Sequence, residues 1–160
     1  MISLIALLPL LALISATPLP RSDKDFYQGV KLKNEVGNFA WCLTPYNEHW
    51  HDGTNLTSNY CSEGELWDIH RGSGSILVHG TEWALDSGTA KEDGDWFKIW
   101  TSYPGIDAQS WYYTDDNHIA VLGGTQCIQE TINGPRSFAC NDDPYQVYTI
   151  VYPGDEESKE

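Results

Sequence analysis

Short sequence patterns recur along this chain at intervals of about 42 residues, and this periodicity limits the folds that it can adopt. An apolar pair opens each interval, at Cys42-Leu43, Ala84-Leu85 and Cys127-Ile128. An aromatic residue follows later in each interval, at Trp67, Trp111 and Tyr148. Repetition at a fixed period indicates that one supersecondary unit is used several times. The sequence therefore predicts a first, a middle and a third structural repeat.

Each repeat carries the signals of short β-strands. Brief alternating runs are separated by clusters of Gly, Pro, Asn and Asp, and helical periodicity is weak throughout. Three linear units would leave exposed ends, whereas a closed arrangement removes exposed strand edges. A propeller with three blades would be unusually small. The sequence therefore predicts an all-β protein with the β-trefoil fold, in which a threefold barrel is capped by hairpins.

The four cysteines fit the same register. Cys42 and Cys61 fall in the first repeat, and Cys127 and Cys140 fall in the third. The matching positions of the middle repeat hold Ala84 and Ser102, so both cysteines of that repeat are missing together. Partners in a disulfide are expected to be gained and lost as a pair. We therefore predict the disulfides Cys42–Cys61 and Cys127–Cys140, each within one repeat.

The ends of the chain indicate export. The run "LIALLPLLALISA" is apolar, uncharged and too short for a membrane span, and it ends in small residues, which is typical of a signal peptide. The alternative is a buried N-terminal helix. Asn55-Leu56-Thr57 is an N-glycosylation sequon, which predicts a glycan on Asn55. The predicted organisation is a signal peptide over 1–16, a flexible leader over 17–28, one domain over 29–152 and an acidic disordered tail over 153–160.

The formal net charge is −14. So strong a negative charge argues against nucleic acids and anionic membrane surfaces as partners, because both repel an acidic protein. With the signal peptide removed, no segment predicts membrane insertion. The sequence does not set an oligomeric state.

At the level of motifs, the chain resembles the ricin B-chain-like (R-type) lectins. The shared pattern is Cys-Leu followed by C-x-G-x-x-x-Q-x-W, in three copies. The middle repeat carries it in "ALD" and "KIWTSYPGIDAQSWYY". The sequence of this repeat looks most like that of secreted fungal members of the family. In the first repeat Glu65 replaces the Gln, and in the third Gln146 is present while Tyr148 replaces the Trp. The resemblance implies a β-trefoil that binds carbohydrate, typically galactose-type sugars, without catalysis.

The run "FKIW" in the middle repeat offers a platform for a sugar. In a strand, Phe97 and Ile99 share one face while Lys98 and Trp100 share the other. Lysine is seldom fully buried, so we expect Trp100 to point outward with Lys98. An indole face can cover the C–H face of a pyranose.

Polar residues near this platform complete the predicted carbohydrate site. Asp86 occupies the Asp position of the family and can accept hydrogen bonds from two neighbouring sugar hydroxyls. Gln109 of the Q-x-W motif offers a hydrogen-bond donor and an acceptor, and Lys98 offers a donor. Tyr103 is predicted to close the rim of the site. An alternative for Asp86 is a turn-capping role, since Asp-Ser-Gly favours turns. Ala108 stands where many relatives have Asn, which leaves the sugar open.

The three repeats differ in which aromatic residues they keep. Trp111 recurs as an aromatic, so we assign it to the core, together with Tyr113 and Ile119. Trp100 is replaced by Asn59 and Phe138, which favours a functional role. The first repeat, with Thr44 for the acid, is predicted to bind no sugar. The third repeat is predicted to hold a weaker second site, formed by Gln129, Phe138 and Gln146, because a neutral amide binds hydroxyls less strongly than a carboxylate.

Other chemistry is less well supported by the sequence. The histidines of "HWH" lack a third ligand at a partner spacing, and Asp115 and Asp116 lack the pattern of a calcium loop, so no metal, cofactor or enzymatic activity is predicted. The predicted partners are glycans or glycoproteins. The alternative function is a secreted β-trefoil protease inhibitor acting through loops over 46–59 and 102–107. A third is a degenerate trefoil that acts through a protein partner.

Overall fold

The computed structural model describes residues 25–90 and 92–155. The predicted signal peptide lies outside these residues, as do most of the leader and the end of the tail. Within the described residues the strands are β1 Phe26–Val36, β2 Phe39–Pro45, β3 Thr54–Asn59, β4 Trp67–His70, β5 Gly72–Gly74, β6 Leu77–Val78, β7 Trp83–Asp86, β8 Lys98–Thr101, β9 Trp111–Tyr113, β10 Ile119–Val121, β11 Gln126–Gln129, β12 Arg136–Ala139 and β13 Thr149–Val151. Two short 3-10 turns span Asp107–Gln109 and Pro144–Gln146.

The strands pair into a closed circuit. Antiparallel ladders join β1, β2, β3, β8, β7, β6 and β4 in that order, and β4 pairs back onto β1. Strand β13 also pairs with β1, while β12, β11, β10, β9 and β5 form a second sheet. Closure leaves few unpaired edges on which another chain could add. No helix within the described ranges combines the length and the apolar character needed to cross a membrane.

The cross-strand register repeats three times. Cys42 lies opposite Asn59, Ala84 opposite Trp100, and Cys127 opposite Phe138. These pairs are the equivalent positions that the sequence repeat predicted. The three repeats are built from β1–β4, β5–β9 and β10–β13, and their arrangement confirms the predicted all-β, β-trefoil fold.

Buried aromatic side chains hold the repeats to a common core. The indole N–H of Trp67 donates to the carbonyl oxygen of Leu43 at 2.9 Å, and that of Trp111 donates to Leu85 at 2.9 Å. In the third repeat, the buried Tyr148 takes this position. A buried indole N–H requires a hydrogen-bond partner, and the backbone carbonyl at the equivalent position supplies it in both repeats. The predicted core positions Trp111, Tyr113 and Ile119 are all buried.

The predicted disulfides are confirmed. Cys42 bonds to Cys61 and Cys127 bonds to Cys140, each within one repeat. The first strand begins earlier than the predicted domain start at residue 29. Phe26 pairs with His70 and their rings stack with centroids 4.2 Å apart, so these contacts bring the end of the predicted leader into the sheet.

Candidate functional site

A row of polar side chains crosses three strands of the middle repeat and its neighbour. The register places Asp86 of β7 opposite Lys98 of β8, and Lys98 opposite Asn55 of β3. Directly opposite residues of paired strands point to the same face. The row runs from the buried Asp86 through the half-buried Lys98 to the exposed Asn55. Asp86 and Lys98 were predicted from the sequence to lie together, whereas the third member was not placed there.

Trp100 lies on the same face as this row, two residues after Lys98. Its indole is half-buried and packs against Gly53, where a Cβ would lie 3.5 Å from Trp100 Cζ3. The Lys98 ammonium nitrogen is 5.2 Å from the centroid of the indole ring, within range of a cation–π contact. The opposite face of the strand holds Phe97 and Ile99 in the core. The alternation of the sequence thus matches the two faces of the strand.

Asp86 is held firmly by its neighbours. Its Oδ1 accepts a hydrogen bond from the Gly88 backbone N–H at 2.7 Å and lies 3.9 Å from the Lys98 ammonium. Its Oδ2 accepts from the Gln109 side-chain amide at 3.2 Å. The turn-capping role is therefore present in the structure. A carboxylate offers about four acceptor positions, so Asp86 retains acceptor capacity beyond these two hydrogen bonds.

Gln109 is a structural residue of the site. Its amide nitrogen donates to Asp86 and also to the Thr101 carbonyl oxygen at 3.0 Å, and its oxygen accepts from the Tyr103 backbone N–H at 2.8 Å. The side chain is 1% exposed, so a ligand could reach it only through a rearrangement. Tyr103 joins the site through its backbone, and its ring is exposed. The glutamine fixes the end of β8 and the carboxylate together.

The third repeat reproduces this scaffold. Gln146 donates to the Ala139 carbonyl oxygen at 3.0 Å and to Gln129 Oε1 at 2.9 Å, and it accepts from the Asn141 backbone N–H at 3.0 Å. Gln129 and Gln146 of the predicted weaker site are thus hydrogen-bonded to each other, and Phe138 occupies the position of Trp100. An amide stands in the third repeat where the middle repeat has a carboxylate.

The cation of the third repeat faces a different environment. Arg136 occupies the position of Lys98 but is buried. Its guanidinium donates to the carbonyl oxygens of Pro135 at 2.8 Å and Asn133 at 2.9 Å, and it lies against the Trp96 ring. Its donors are therefore engaged with the protein, whereas Lys98 remains partly accessible to a ligand.

Comparison with known proteins places the chain in a family. The model of the ricin-type β-trefoil lectin domain matches residues 29–148. The chain belongs to this family.

Solved structures agree with this assignment at the level of the fold. The designed threefold symmetric protein ThreeFoil has a TM-score of 0.64 and 21% identity, over 76% of this chain and 96% of that chain. The C-half of an earthworm R-type lectin, solved in complex with GalNAc, has a TM-score of 0.55 and 16% identity, over 79% of this chain and 97% of that chain. No curated protein sequence matches the chain.

The first repeat of this lectin domain lacks the features of the other two. Thr44 replaces the acid, and Asn59 replaces the outward aromatic residue and donates to Glu63 at 2.9 Å. Glu65, which replaces the glutamine, accepts from the backbone N–H of Leu66. The hydrogen-bonded link between the glutamine position and the acid position therefore has no counterpart here.

The first of the two loops proposed for a protease inhibitor, 46–59, is less free than the sequence suggests. The last six residues of the segment 46–59 form strand β3, which is paired on both sides by β2 and β8. Asp52 accepts hydrogen bonds from the backbone N–H and the hydroxyl of Thr101, at 2.7 and 2.9 Å. These contacts tie the "HWH" loop to the end of β8, beside Trp100. Among the residues that the structure describes, no group of three His, Cys, Asp or Glu side chains is arranged to hold a metal ion.

A cleft of about 810 Å³ lies between the third and first repeats of the lectin domain. Its lining comprises Val36, Phe39, Trp41, Thr57, Ser58, Asp143, Tyr145 and the loop 129–134. Of the site residues predicted from the sequence, only Gln129 belongs to it. Sequence reasoning missed the cleft because its two walls come from opposite ends of the chain. The available signal was the presence of apolar side chains beside turn-favouring pairs, Phe39 after Gly37-Asn38 and Ile132 before Asn133-Gly134.

Proposed function

We propose that this protein is a secreted carbohydrate-binding protein whose competent sugar site is the outward face of the middle repeat. The observation that carries the proposal is the combination of Trp100 with a fixed Asp86 carboxylate on one face of a lectin domain. Family membership supports carbohydrate as the ligand class. The site is formed by Asp86, Lys98 and Trp100, with Gln109 as the residue that positions the carboxylate.

The chemistry of these groups suits a pyranose. The apolar C–H face of the ring would stack on the accessible part of the Trp100 indole. Asp86 would accept hydrogen bonds from sugar hydroxyls, and hydrogen bonds to an ionised acceptor are stronger than neutral ones. Lys98 would donate to a third hydroxyl. Each of these interactions would hold the sugar without breaking a covalent bond, and we assign no catalytic step to the site.

We propose galactose-type sugars as the ligands. The earthworm R-type lectin half, described in complex with GalNAc, supports this class by analogy at the level of the fold. The third repeat is proposed to bind more weakly, since Gln129 offers a neutral amide, and the first repeat not at all. A single shallow site binds a free monosaccharide weakly, so strong binding would require an extended glycan or several copies of the protein.

Secretion and glycosylation belong to the same proposal. Two disulfides support an oxidising compartment. Asn55 is exposed on β3, which gives a glycosylating enzyme access to its side chain. A glycan on Asn55 would stand directly beside Lys98, because the two residues are cross-strand partners. The sequence of the middle repeat favours a fungal-type member of the lectin family.

A glycan array with the wild-type protein and Trp100→Ala tests the middle-repeat site. We expect the substitution to lower binding of galactose-terminated glycans by about tenfold or more, since aromatic anchors commonly dominate binding energy. Tyr112→Ala is the matched control, because Tyr112 is an exposed aromatic residue on another strand. Thermal unfolding would confirm that both variants are folded.

Two results would overturn the proposal. The first is full glycan binding by Trp100→Ala. The second is an absence of glycan binding by the wild type together with inhibition of a protease, which would support the alternative function instead.

A further inference from the structure

The cleft between the third and first repeats has a counterpart elsewhere in the molecule. A smaller cavity, of about 420 Å³, lies between the middle and third repeats. Each cavity is bounded by the loop that follows the Asp86 or Gln129 position, and by a hairpin of the next repeat. The hairpin is β1–β2 for the cleft and β10–β11 for the smaller cavity. The two cavities therefore occupy equivalent places in the threefold arrangement.

At equivalent positions, the cleft has larger and more apolar side chains than the smaller cavity. The cleft has Phe39, Trp41, Ile132 and Tyr145 where the smaller cavity has Gly124, Gln126, Thr89 and Ala108. The equivalence follows from the repeat register, since Trp41 and Gln126 immediately precede Cys42 and Cys127. Similarly, Tyr145 and Ala108 immediately precede the structural glutamines. The fold does not require apolar residues at these positions.

These apolar side chains face solvent. Ile132 is fully exposed, Phe39 is 66% exposed and Tyr145 is 45% exposed. Apolar groups clustered on a surface and rimmed by polar residues commonly mark a binding site. Trp41 is held in a defined orientation, because its ring stacks on Tyr60 with centroids 5.4 Å apart. The cleft thus presents a fixed aromatic ring to its interior.

Polar groups line the rest of the cleft. Glu130 is more than nine-tenths buried and accepts hydrogen bonds from the hydroxyls of Ser58 and Tyr148. Burial also raises the pKa of the Glu130 carboxyl, which favours its neutral form. Asp143 and Gln129 lie in the same lining, which contains no Lys or Arg. This lining disfavours an anionic ligand, since it provides no charged donor, and it suits a neutral ligand with hydroxyl groups.

We propose that the cleft is a second sugar site, which takes one neutral pyranose with its C–H face against Trp41 and its hydroxyls toward Asp143 and Gln129. The inference rests on the proposed function, because it takes carbohydrate as the ligand class. A sugar is favoured as the occupant because Gln129 lines the cleft. The cleft also combines an aromatic ring with carboxyl and amide groups, as the proposed site of the middle repeat does. It is not the predicted weaker site, because Phe138 and Gln146 do not line it.

Fluorine NMR of protein labelled with 5-fluorotryptophan tests the inference. The chain has seven tryptophans, so Trp41 and Trp100 can each be assigned by substitution. The probes are galactose, N-acetylgalactosamine, glucose, N-acetylglucosamine and mannose, each titrated separately. We expect at least one sugar to shift the Trp41 signal with a midpoint different from that of Trp100. Trp41→Ala removes the Trp41 signal, which assigns it, and should leave the Trp100 response unchanged.

Further variants protect the test against a change in folding. Ile132→Ser alters a fully exposed side chain and should weaken the Trp41 response by about threefold or more, as expected for loss of apolar contact area. Gln126→Ala, in the smaller cavity, should leave both responses unchanged. A Trp100 response without a Trp41 response would overturn the second site and leave the proposed function standing. A Trp41 response alone would support the second site and refute the middle-repeat site. No response to any of the five sugars would overturn the second site.

Discussion

The middle and third repeats share one scaffold but differ in the side chains around the equivalent loop. Gln109 and Gln146 make matching hydrogen bonds, so the backbone around the two loops is held in the same way. Both repeats have a half-buried aromatic side chain on the sheet face, Trp100 in the middle repeat and Phe138 in the third. The third repeat also has Tyr145 and Ile132 in the cleft toward the first repeat, where the middle repeat has Ala108 and Thr89. The scaffold residues thus persist while the outward residues vary, and the proposed sugar binding rests on the latter.

Removal of the third-repeat disulfide should have the largest effect on this comparison. The middle repeat folds without a bridge, whereas Cys127–Cys140 closes a loop in the third. We expect the double variant Cys127→Ala, Cys140→Ala to lower the free energy of unfolding by about 3 kcal/mol. Without the cross-link, the unfolded chain has more conformational entropy. Urea unfolding measures the change. Unaltered stability would show that both repeats are held by packing alone.

Substitution of the two structural glutamines should have the next largest effect. Gln109→Ala and Gln146→Ala each leave buried backbone groups without partners, which should cost about 2 to 3 kcal/mol of unfolding free energy. The two losses should be similar, because the hydrogen bonds match. Urea unfolding of both variants checks the prediction. A Gln109→Ala protein that kept its stability but lost sugar binding would make Gln109 a direct ligand and would break the comparison.

Exchange of the acid and amide positions tests why the middle repeat is proposed to bind better. Asp86→Asn should lower affinity for a galactose-type sugar by about tenfold, the difference of roughly 1.4 kcal/mol expected between charged and neutral hydrogen bonds. Isothermal titration calorimetry provides the measurement, and Gln129→Asp is the reciprocal variant. If Asp86→Asn binds as well as the wild type, the carboxylate does not distinguish the repeats.

The pH dependence of stability should show the smallest difference. Glu130 follows the Gln129 position, and the middle repeat has Ser87 at the equivalent place. Burial raises the pKa of Glu130, so the folded protein retains this proton at a pH where the unfolded chain has lost it. Stability contributed by this group is therefore present below the unfolded pKa and is lost as pH rises through the folded pKa. Glu130→Gln should flatten this decrease in thermal melts above about pH 4; an unchanged pH profile would contradict the assignment.

The sequence predicted the elements that are encoded locally or by repetition. The threefold fold and both disulfides follow from spacing, and the two faces of β8 follow from the alternation in Phe97–Trp100. By contrast, Asn55 and Lys98 are cross-strand neighbours only because β3 pairs with β8, and these two strands belong to different repeats. The cleft likewise joins Trp41 to Tyr145. Such contacts depend on how the repeats pack, and no local pattern in either segment specifies the partner.

The hydrogen bonds of Asp86 have a consequence for recognition. The Gly88 N–H and the Gln109 amide fix the carboxylate before any ligand arrives. In the proposed sugar complex, little rotamer entropy of this side chain would remain to be lost, so more of the interaction energy would be retained as affinity. The same rigidity means that the positions of the carboxylate oxygens are set in advance. Epimers that differ in the direction of one hydroxyl would therefore be discriminated by fit to a preorganised acceptor, without adjustment of the protein.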